Sequence, residues 1–255
     1  MKPTFLKYEK PLLTAMIQYR TPEECILKIK ASLADGADAI GIQLDKLKKE
    51  YRTPECFKKI FEACEGKPIY VTCYRNGNNE PDTDDVLAET LLMALDCGAT
   101  LCDVMGDMFD PSPQYELTTD ADAIKKQVEL IEKIHERGGE VLISSHTYKS
   151  ISTDECLMIA KEQIKRGADI IKIVNHANTA DEVPKYIDAI QKIIAMTDRK
   201  LLFLVSGRGE IIRYIGPNFG VCMYLCVQHH GEMDTTEQPV LSKIKAIRDN
   251  IRFDF

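Results

Sequence analysis

Short apolar runs rich in β-branched residues alternate with longer amphipathic stretches along the whole chain. Apolar runs of about 4–8 residues are typical of buried strands, whereas longer stretches with apolar residues every third or fourth position are typical of helices. The predicted strands lie at residues 12–17, 39–44, 69–74, 100–105, 140–145, 170–174, 201–205 and 221–226. The predicted helices lie near residues 22–34, 54–65, 83–97, 120–137, 153–166, 180–196 and 239–250.

A repeated tripeptide marks points where a predicted helix ends and a strand begins. The copies are Gly36-Ala37-Asp38, Gly98-Ala99-Thr100 and Gly167-Ala168-Asp169. Glycine adopts the left-handed backbone that commonly closes a helix, and the next residues restart an extended strand. Strands and helices that alternate without a Pro- or Ser-rich linker predict a single (β/α)8 TIM barrel, one domain over residues 1–255. An open doubly wound sheet is the structural alternative, and the lack of a G-x-G-x-x-G motif after the first strand counts against it.

The charge and the cysteine content restrict the class of protein. Lys and Arg total 33 against 40 Asp and Glu, a formal net charge of -7, which disfavours a nucleic-acid partner. No apolar stretch reaches the roughly 18 residues of a membrane helix, and the N-terminal residues lack the pattern of a secretory signal. The nine cysteines form no C-x-x-C pair. We therefore expect a cytoplasmic protein with no membrane partner and no metal, whose cysteines are small core residues.

Lys172 is the strongest candidate for chemistry. In a barrel of this class, functional residues lie where the strands end at their carboxyl side. Lys172 lies within the apolar run 170–174, and burial favours the uncharged amine that attacks a carbonyl. The alternative is a lysine whose head reaches the barrel mouth and pairs with a carboxylate. The polar residues predicted near strand ends are Arg75, Asp103, Asp107, Ser144, His146, Lys172, Asn175, Ser206, Arg208 and Gln228.

His146 follows the strand that precedes the one carrying Lys172. Neighbouring strand ends are close in a barrel, so the two side chains are expected to face one another. An amine that forms an imine needs a proton shuttle beside it, and imidazole titrates in a suitable range. A structural, hydrogen-bonded histidine is the alternative. The pair favours an enzyme that works through a lysine imine.

Several segments resemble the type I 3-dehydroquinate dehydratases of the shikimate pathway, over nearly the whole chain. The segments are Ser145-His146-Thr147, Gly167-Ala168-Asp169-Ile170-Ile171-Lys172-Ile173, the run 206–213 and, more faintly, Glu237-Gln238-Pro239. The resemblance implies a (β/α)8 barrel, a monomer or homodimer, and no metal or organic cofactor. It implies that Lys172 forms the imine and that His146 moves the proton next to it. It also implies that Arg213 holds the substrate carboxylate and that Gln238 binds substrate hydroxyl groups from a lid loop.

The chain departs from the pattern of this family at several positions. Where the family has Glu-x-Arg-x-Asp in the second strand, this chain has Gly41, Gln43 and Asp45. Where the family has a glutamate that supports the histidine, this chain has Met105, whose thioether is a poor acceptor. Asp103, on the same face of the predicted strand, or Asp107, nearer its end, is a partial replacement. Arg75 stands one residue later than a family arginine. Gln43, Asp103 and Arg75 are therefore further candidates for substrate contacts.

We predict a lyase that dehydrates 3-dehydroquinate, or a related cyclic keto acid as its small-molecule substrate. Two alternatives stay open. One is a class I aldolase-type lyase on a phosphorylated sugar, with the loop Ser206-Gly207-Arg208-Gly209 around the phosphate. The other is a barrel that binds a carboxylated ring compound without catalysis, because the supporting glutamate is missing at Met105.

Overall fold

In the residues that the structure describes (3–75, 77–79 and 82–253 of a computed structural model), eight strands alternate with eight α-helices. The strands are β1 (Leu12–Ile17), β2 (Ala39–Gln43), β3 (Ile69–Thr72), β4 (Leu101–Met105), β5 (Glu140–His146), β6 (Ile170–Ala177), β7 (Lys200–Gly207) and β8 (Met223–Cys226). The helices are α1 (Pro22–Ala34), α2 (Pro54–Glu62), α3 (Asp84–Asp96), α4 (Ala121–Glu136), α5 (Thr153–Lys165), α6 (Val183–Ala195), α7 (Ile212–Ile215) and α8 (Leu241–Asp249).

All of these strands belong to one sheet, in the order β7-β6-β5-β4-β3-β2-β1-β8. The pairs β1–β2, β2–β3, β3–β4, β5–β6 and β6–β7 are parallel. From β1 to β7, strands that follow one another in sequence are neighbours, and β8 lies beside β1, without the reversal of order that defines a doubly wound sheet. The predicted (β/α)8-barrel fold class is confirmed, and the doubly wound alternative is wrong.

Strands β6 and β7 are each three residues longer than predicted, β5 is one residue longer, and one helix was not predicted. β6 and β7 continue together beyond the apolar runs, because Asn175 pairs with Val205 and His176 with Ser206 in the parallel ladder. The hydrophobic pattern ends before this polar extension, so it gave no signal for it. Helix α7 is only four residues long, too short for a periodic pattern.

Local sequence accounts for where helices begin and end. Thr21 caps α1: its hydroxyl accepts the Glu24 N–H at 3.4 Å, and the Glu24 carboxylate accepts the Thr21 N–H at 3.0 Å. This reciprocal arrangement satisfies amide donors that have no partner within the helix. Gly36, Gly98 and Gly167 have φ values of 91°, 118° and 103°, so the repeated tripeptide does end helices in the left-handed conformation.

Packing divides the chain into two compact units. The first consists of the described residues of Met1–Asp103, Lys133–Glu140 and Leu225–Arg252. The second consists of the described residues of Val104–Glu132, Val141–Tyr224 and Phe253–Phe255. The single-domain organisation over residues 1–255 stays a prediction.

All nine cysteines are free thiols. Burial raises the pKa of Cys25, Cys64, Cys73, Cys102, Cys156 and Cys222 to about 12. Protonated, buried thiols pack as small apolar side chains. Within the described part of the chain, none of the helices has the length and apolar character to cross a membrane.

Candidate active site

Lys172 lies in the middle of β6 and faces away from helix α5. The amide of Asn175, further along β6, is 3.6 Å from Sγ of Cys156 in α5, so Asn175 faces that helix. Because successive side chains alternate between the two faces of a strand, Lys172 lies on the opposite face. Only 4% of Lys172 is exposed. The lysine is therefore buried, as its apolar neighbours in sequence predicted.

Gln163 of α5 holds the backbone of β6 at this lysine. The N–H of Lys172 donates to Oε1 of Gln163, and Nε2 of Gln163 donates to the Lys172 carbonyl, both at 3.0 Å. The same Nε2 is 3.1 Å from Oγ of Ser145 on β5. Gln163 thus holds the β6 backbone at Lys172 and links it to a side chain of β5. Gln163 is fully buried and continues the face of α5 formed by Cys156, Ile159 and Ala160, and this helical spacing was its signal in the sequence.

His146 ends β5 on the same face as Lys172. In the β5–β6 register Ser144 pairs with Lys172 and His146 pairs with Val174. Paired residues of parallel strands project to the same side, so His146 lies one alternate position closer to the carboxyl end than Lys172. That step is about 6–7 Å along the strand. The predicted neighbourhood of the amine and the imidazole agrees with this register.

Ser144 is the direct neighbour of Lys172 in the ladder. Its side chain is fully buried, and within the described part of the chain its Oγ has no hydrogen-bond partner. A buried hydroxyl normally finds a partner. Ser144 is therefore suited to bind a polar atom of a molecule held at Lys172.

Glu116 lies in the loop between β4 and α4 and contacts both the backbone and the imidazole of His146. Its Oε2 is 2.6 Å from Nδ1 of the imidazole and accepts the backbone N–H of His146 at 2.8 Å. Both side chains are mostly buried, with 16% of His146 and 19% of Glu116 exposed. The ring of Tyr148 stacks on the imidazole at 6.0 Å between centroids. His146 therefore has a carboxylate partner, although Met105 stands where the family has its supporting glutamate.

The two aspartates predicted as partial replacements make other contacts. One oxygen of Asp103 accepts the hydroxyls of Tyr70 and, at 2.6 Å, of Tyr74. Burial, and then Asp103, raise the pKa of Tyr70 well above its ordinary value. Oδ2 of Asp107 accepts the backbone N–H of Ser112 at 2.7 Å. The carboxylate on His146 is thus one that the sequence did not single out.

Ser206 was predicted near a strand end, and the family resemblance implied Arg213 as the residue that holds the substrate carboxylate. Arg213 is 8% exposed and donates from Nε to the carbonyl of Val205 at 3.0 Å, so it is not a solvated surface arginine. Oγ of Ser206 is 3.1 Å from Nδ1 of His176, a second histidine that the sequence analysis did not select. His176 shares the Lys172 face of β6 by alternation. A Cβ at Gly207 would overlap the ring of His176, so only glycine fits there.

In the first unit, the position of the family glutamate is closed. Met16, Gly41 and Tyr70 are neighbours across β1, β2 and β3. A Cβ at Gly41 would overlap Sδ of Met16 and lie 3.2 Å from a ring carbon of Tyr70. Gln43 is half-buried, and among the described residues its Oε1 has no hydrogen-bond partner. The packing thus replaces a charged pair by apolar contacts and one neutral amide.

Arg75 and Gln238 are each held by a residue of the first unit. Nε and Nη2 of Arg75 donate to the two oxygens of Asp84 at 2.7 Å each. Oε1 of Gln238 accepts the side-chain amide of Gln18 at 3.2 Å, and Thr235 donates to Oε1 of Gln18 at 2.9 Å. Gln18, which follows β1, is a positioning contact that sequence reasoning missed.

The second unit brings together the buried amine of Lys172, the imidazole of His146 on the same face, and the carboxylate of Glu116 beside Nδ1 of that imidazole. Such a set supplies a nucleophile and a proton shuttle of fixed orientation. In the parts of the chain covered by the structure, no group of three or more His, Cys, Asp or Glu side chains is placed to hold a metal ion.

Comparison with known proteins gives concordant matches. The family model described as type I 3-dehydroquinase matches residues 14–253. A 3-dehydroquinate dehydratase of Alkaliphilus oremlandii is 33% identical over 108 residues, and this match covers 41% of this chain and 41% of that protein. The chain thus spans less than half the length of this curated relative.

Two solved structures share the fold. The 3-dehydroquinate dehydratase of Geobacillus kaustophilus HTA426 has a TM-score of 0.79 at 14% identity, covering 94% of this chain and 90% of that one. The type I 3-dehydroquinate dehydratase of Clostridium difficile, determined with covalently modified comenic acid, has a TM-score of 0.79 at 18% identity, covering 95% and 92%. At these identities the likeness establishes the fold.

Proposed function

The chain belongs to the type I 3-dehydroquinase family, and from that premise we propose that it dehydrates 3-dehydroquinate or a related cyclic keto acid through an imine on Lys172. Membership confirms the resemblance predicted from the sequence. It supports the predicted enzyme class, a carbon–oxygen lyase of the dehydratase type that acts on a small molecule.

The observation that carries the proposal is the placement of Lys172 and His146 on one face of adjacent strands. Lys172 is 4% exposed, and the register sets His146 one alternate position beyond it. A buried amine is a good nucleophile towards a ketone, and a nearby imidazole transfers protons near neutral pH. Neither group alone would indicate this chemistry.

The proposed reaction follows from these two groups. The Lys172 amine attacks the substrate ketone, and loss of water gives an imine that is protonated on nitrogen. His146 removes a proton from the adjacent carbon, and the released electron pair forms an enamine. The enamine then expels the hydroxyl of the next carbon, which leaves as water with the proton held by His146. Hydrolysis of the conjugated imine releases the product and the free lysine.

Other residues are proposed to bind the substrate. Arg213 is assigned to the substrate carboxylate, since a guanidinium fork matches a carboxylate. Ser144, whose buried hydroxyl lies beside Lys172 in the ladder, is assigned to a polar atom of the substrate near the imine. Gln238 is assigned to substrate hydroxyl groups. Asp103, Arg75 and Gln43 remain proposals for further contacts.

The proposed range of substrates follows from the residues that differ from the family pattern. A site built to hydrogen-bond particular hydroxyls loses discrimination when those partners are absent. Gly41 and Gln43 replace the charged residues of the family pattern, and Met16 and Tyr70 close the space at Gly41. A related keto acid with fewer hydroxyl groups is therefore included in the proposal.

We also propose that the protein is cytoplasmic and forms a homodimer. Sedimentation analysis tests the homodimer directly.

A steady-state assay tests the function. Wild-type protein should convert 3-dehydroquinate to a conjugated enone, whose short-wavelength ultraviolet absorption the substrate lacks. Lys172→Ala should lower kcat by at least about 10³-fold, whereas Lys161→Ala, at an exposed position of α5, should leave it unchanged. Turnover only of phosphorylated sugars would favour the aldolase alternative. Tight binding of ring carboxylates with no turnover of any keto acid would favour the non-catalytic alternative.

A further inference from the structure

Glu116 contacts both the backbone and the ring of His146 with a single oxygen. Oε2 accepts the backbone N–H of His146 at 2.8 Å and lies 2.6 Å from Nδ1. The backbone contact holds the carboxylate in place whatever the state of the ring. Since a carboxylate only accepts hydrogen bonds, the short contact requires the proton on Nδ1. The other ring nitrogen, Nε2, is then the one that exchanges protons with a bound molecule.

We propose that Glu116 is the positioning residue that fixes the tautomer and the orientation of His146. This inference rests on the proposed function, in which His146 moves the proton beside the imine. Glu116 acts through the imidazole and is not assigned a contact with substrate. It supplies, from a loop after β4, the support that Met105 cannot give.

The backbone at Glu116 is held in a conformation that few residues adopt. Tyr115 and Glu116 both have positive φ, at 66° and 46°. A non-glycine residue in this region costs about 1–3 kcal/mol and persists only where surrounding contacts impose it. Consecutive residues of this kind indicate that the direction of the Glu116 side chain is imposed by the packing of the loop.

Buried hydrogen bonds from Arg166 hold the two ends of the loop that carries Glu116. Arg166, 4% exposed, donates to the carbonyls of Gly106 at 2.8 Å and of Thr118 at 2.7 Å. These carbonyls flank the loop that carries Glu116. The N–H of Thr118 also donates to the carbonyl of Gly106 at 3.2 Å, so the loop is closed at its base.

A glycine allows the loop to approach β5. A Cβ at Gly106 would lie 2.6 Å from the carbonyl oxygen of Glu116 and 3.0 Å from that of Ser144. No other residue type fits without displacing the Glu116 backbone. On the same side, Oγ of Ser145 donates to the Glu116 carbonyl at 3.4 Å. Gly106 is therefore required for the approach of Glu116 to His146.

The residue before Glu116 ties the loop to α5. The hydroxyl of Tyr115 donates to Oε1 of Glu155 at 2.6 Å. The ammonium of Lys149 lies over the Tyr115 ring at 5.2 Å from its centroid. Because these contacts of Tyr115 are with Glu155 and Lys149, Tyr115 offers a matched control: a change there loosens the loop and leaves the Glu116 carboxylate intact.

The test is nitrogen-15 NMR of histidine-labelled protein, which reads the tautomer of each neutral imidazole. The His146 signals are assigned as those lost in His146→Asn. Wild type should show His146 protonated on Nδ1. Glu116→Gln, whose amide oxygen still accepts, should keep this tautomer, whereas Glu116→Ala should shift it towards protonation on Nε2. Tyr115→Phe should retain the wild-type tautomer. A wild-type His146 protonated on Nε2 would overturn the proposal even if every variant failed to fold.

Kinetics separate a positioning role from a merely structural one. Glu116→Ala should lower kcat by about 10–10²-fold with KM within about threefold, since the residue acts on proton transfer. Unchanged kcat in Glu116→Ala would also overturn the proposal. The proposed function is judged separately, by whether borohydride traps substrate on Lys172 in the wild type. The tautomer measurement needs no substrate, so each idea fails on its own evidence.

Discussion

The imidazole of His146 and the carboxylate of Glu116 meet at 2.6 Å between Nδ1 and Oε2, although the residues are 30 positions apart in the chain. Their contact joins the end of a strand to an irregular loop. Behind the loop, Arg166 and Gly106 fix the backbone that brings the two side chains together. The proton shuttle proposed for this chain is therefore built from a strand end, a loop and a buried arginine.

Gly106→Ala should disturb this contact. The new methyl group would meet two backbone carbonyls, at 2.6 Å and 3.0 Å, which cannot rotate away as a side chain can. We expect a loss of about 1–3 kcal/mol in the free energy of unfolding and a fall in kcat. Urea unfolding and steady-state assays measure these. Gly216→Ala, whose Cβ would meet a valine methyl at 3.3 Å, is the control; equal effects in both variants would contradict the account.

Arg166→Met should be strongly destabilising. It removes the donors to the Gly106 and Thr118 carbonyls and to Oε1 of Gln127. Because these buried acceptors lose a charged donor that water does not replace, the expected loss is about 3–5 kcal/mol in the free energy of unfolding. Chemical denaturation checks this. Lys165→Met, at a side chain that is 77% exposed, should change stability by less than about 0.5 kcal/mol. A loss below about 1 kcal/mol in Arg166→Met would show that these hydrogen bonds of Arg166 do not stabilise the loop that carries Glu116.

Glu155 should stabilise the fold in a pH-dependent way. Hydrogen bonds from the backbone N–H of Ser152, the hydroxyl of Tyr115 and the hydroxyl of Ser152 lower its pKa from 4.5 to about 2. Because the folded value lies below the unfolded one, the charged form stabilises the folded state above about pH 4.5, and this stabilisation is lost as the pH falls towards about 2. In urea titrations at several pH values, Glu155→Gln should therefore be less stable than wild type near pH 6, with a deficit that shrinks on acidification.

The control for this titration is Glu129→Gln, at an exposed position of α4, which should track the wild type at every pH. A deficit of Glu155→Gln that stays constant down to about pH 2 would show that the charge of Glu155 does not stabilise the fold.

Gln18→Ala should affect substrate binding more than turnover. Gln18 donates to Oε1 of Gln238 at 3.2 Å and accepts from Thr235 at 2.9 Å, so it orients the glutamine proposed to bind substrate hydroxyls. We expect KM to rise by about 3–10-fold with kcat within about twofold. Steady-state kinetics with 3-dehydroquinate measure both. If KM is unchanged in Gln18→Ala and in Gln238→Ala alike, this segment does not bind the substrate.

The hydrophobic pattern was sufficient for the fold class. Each predicted strand corresponds to an observed one, because apolar runs such as the one around Lys172 must be buried whatever they pack against. The polar ends of β6 and β7, such as His176 and Ser206, were not predicted as strand residues. They are extended because their backbones pair with one another, and the hydrophobic pattern reports burial and not backbone pairing.

The site was predictable only where it lies on regular strands. The adjacency of strand ends predicted that Lys172 and His146 lie near one another, and the β5–β6 register sets both on one face. The contact of Glu116 with His146 could not be predicted from the sequence. The direction of its side chain depends on left-handed backbone at Tyr115 and Glu116 and on carbonyls that accept hydrogen bonds from Arg166. The sequence shows Met105 where the family has its glutamate, and only tertiary packing revealed that Glu116 contacts His146.

Reduction with borohydride in the presence of 3-dehydroquinate, followed by peptide mass spectrometry, tests the central claim most directly. Borohydride converts a transient imine into a stable secondary amine. The account predicts one adduct, on Lys172, with the mass of the reduced dehydrated substrate, and no adduct in Lys172→Ala. An adduct on another lysine, or turnover of 3-dehydroquinate by the wild type without any trapped adduct, would contradict it.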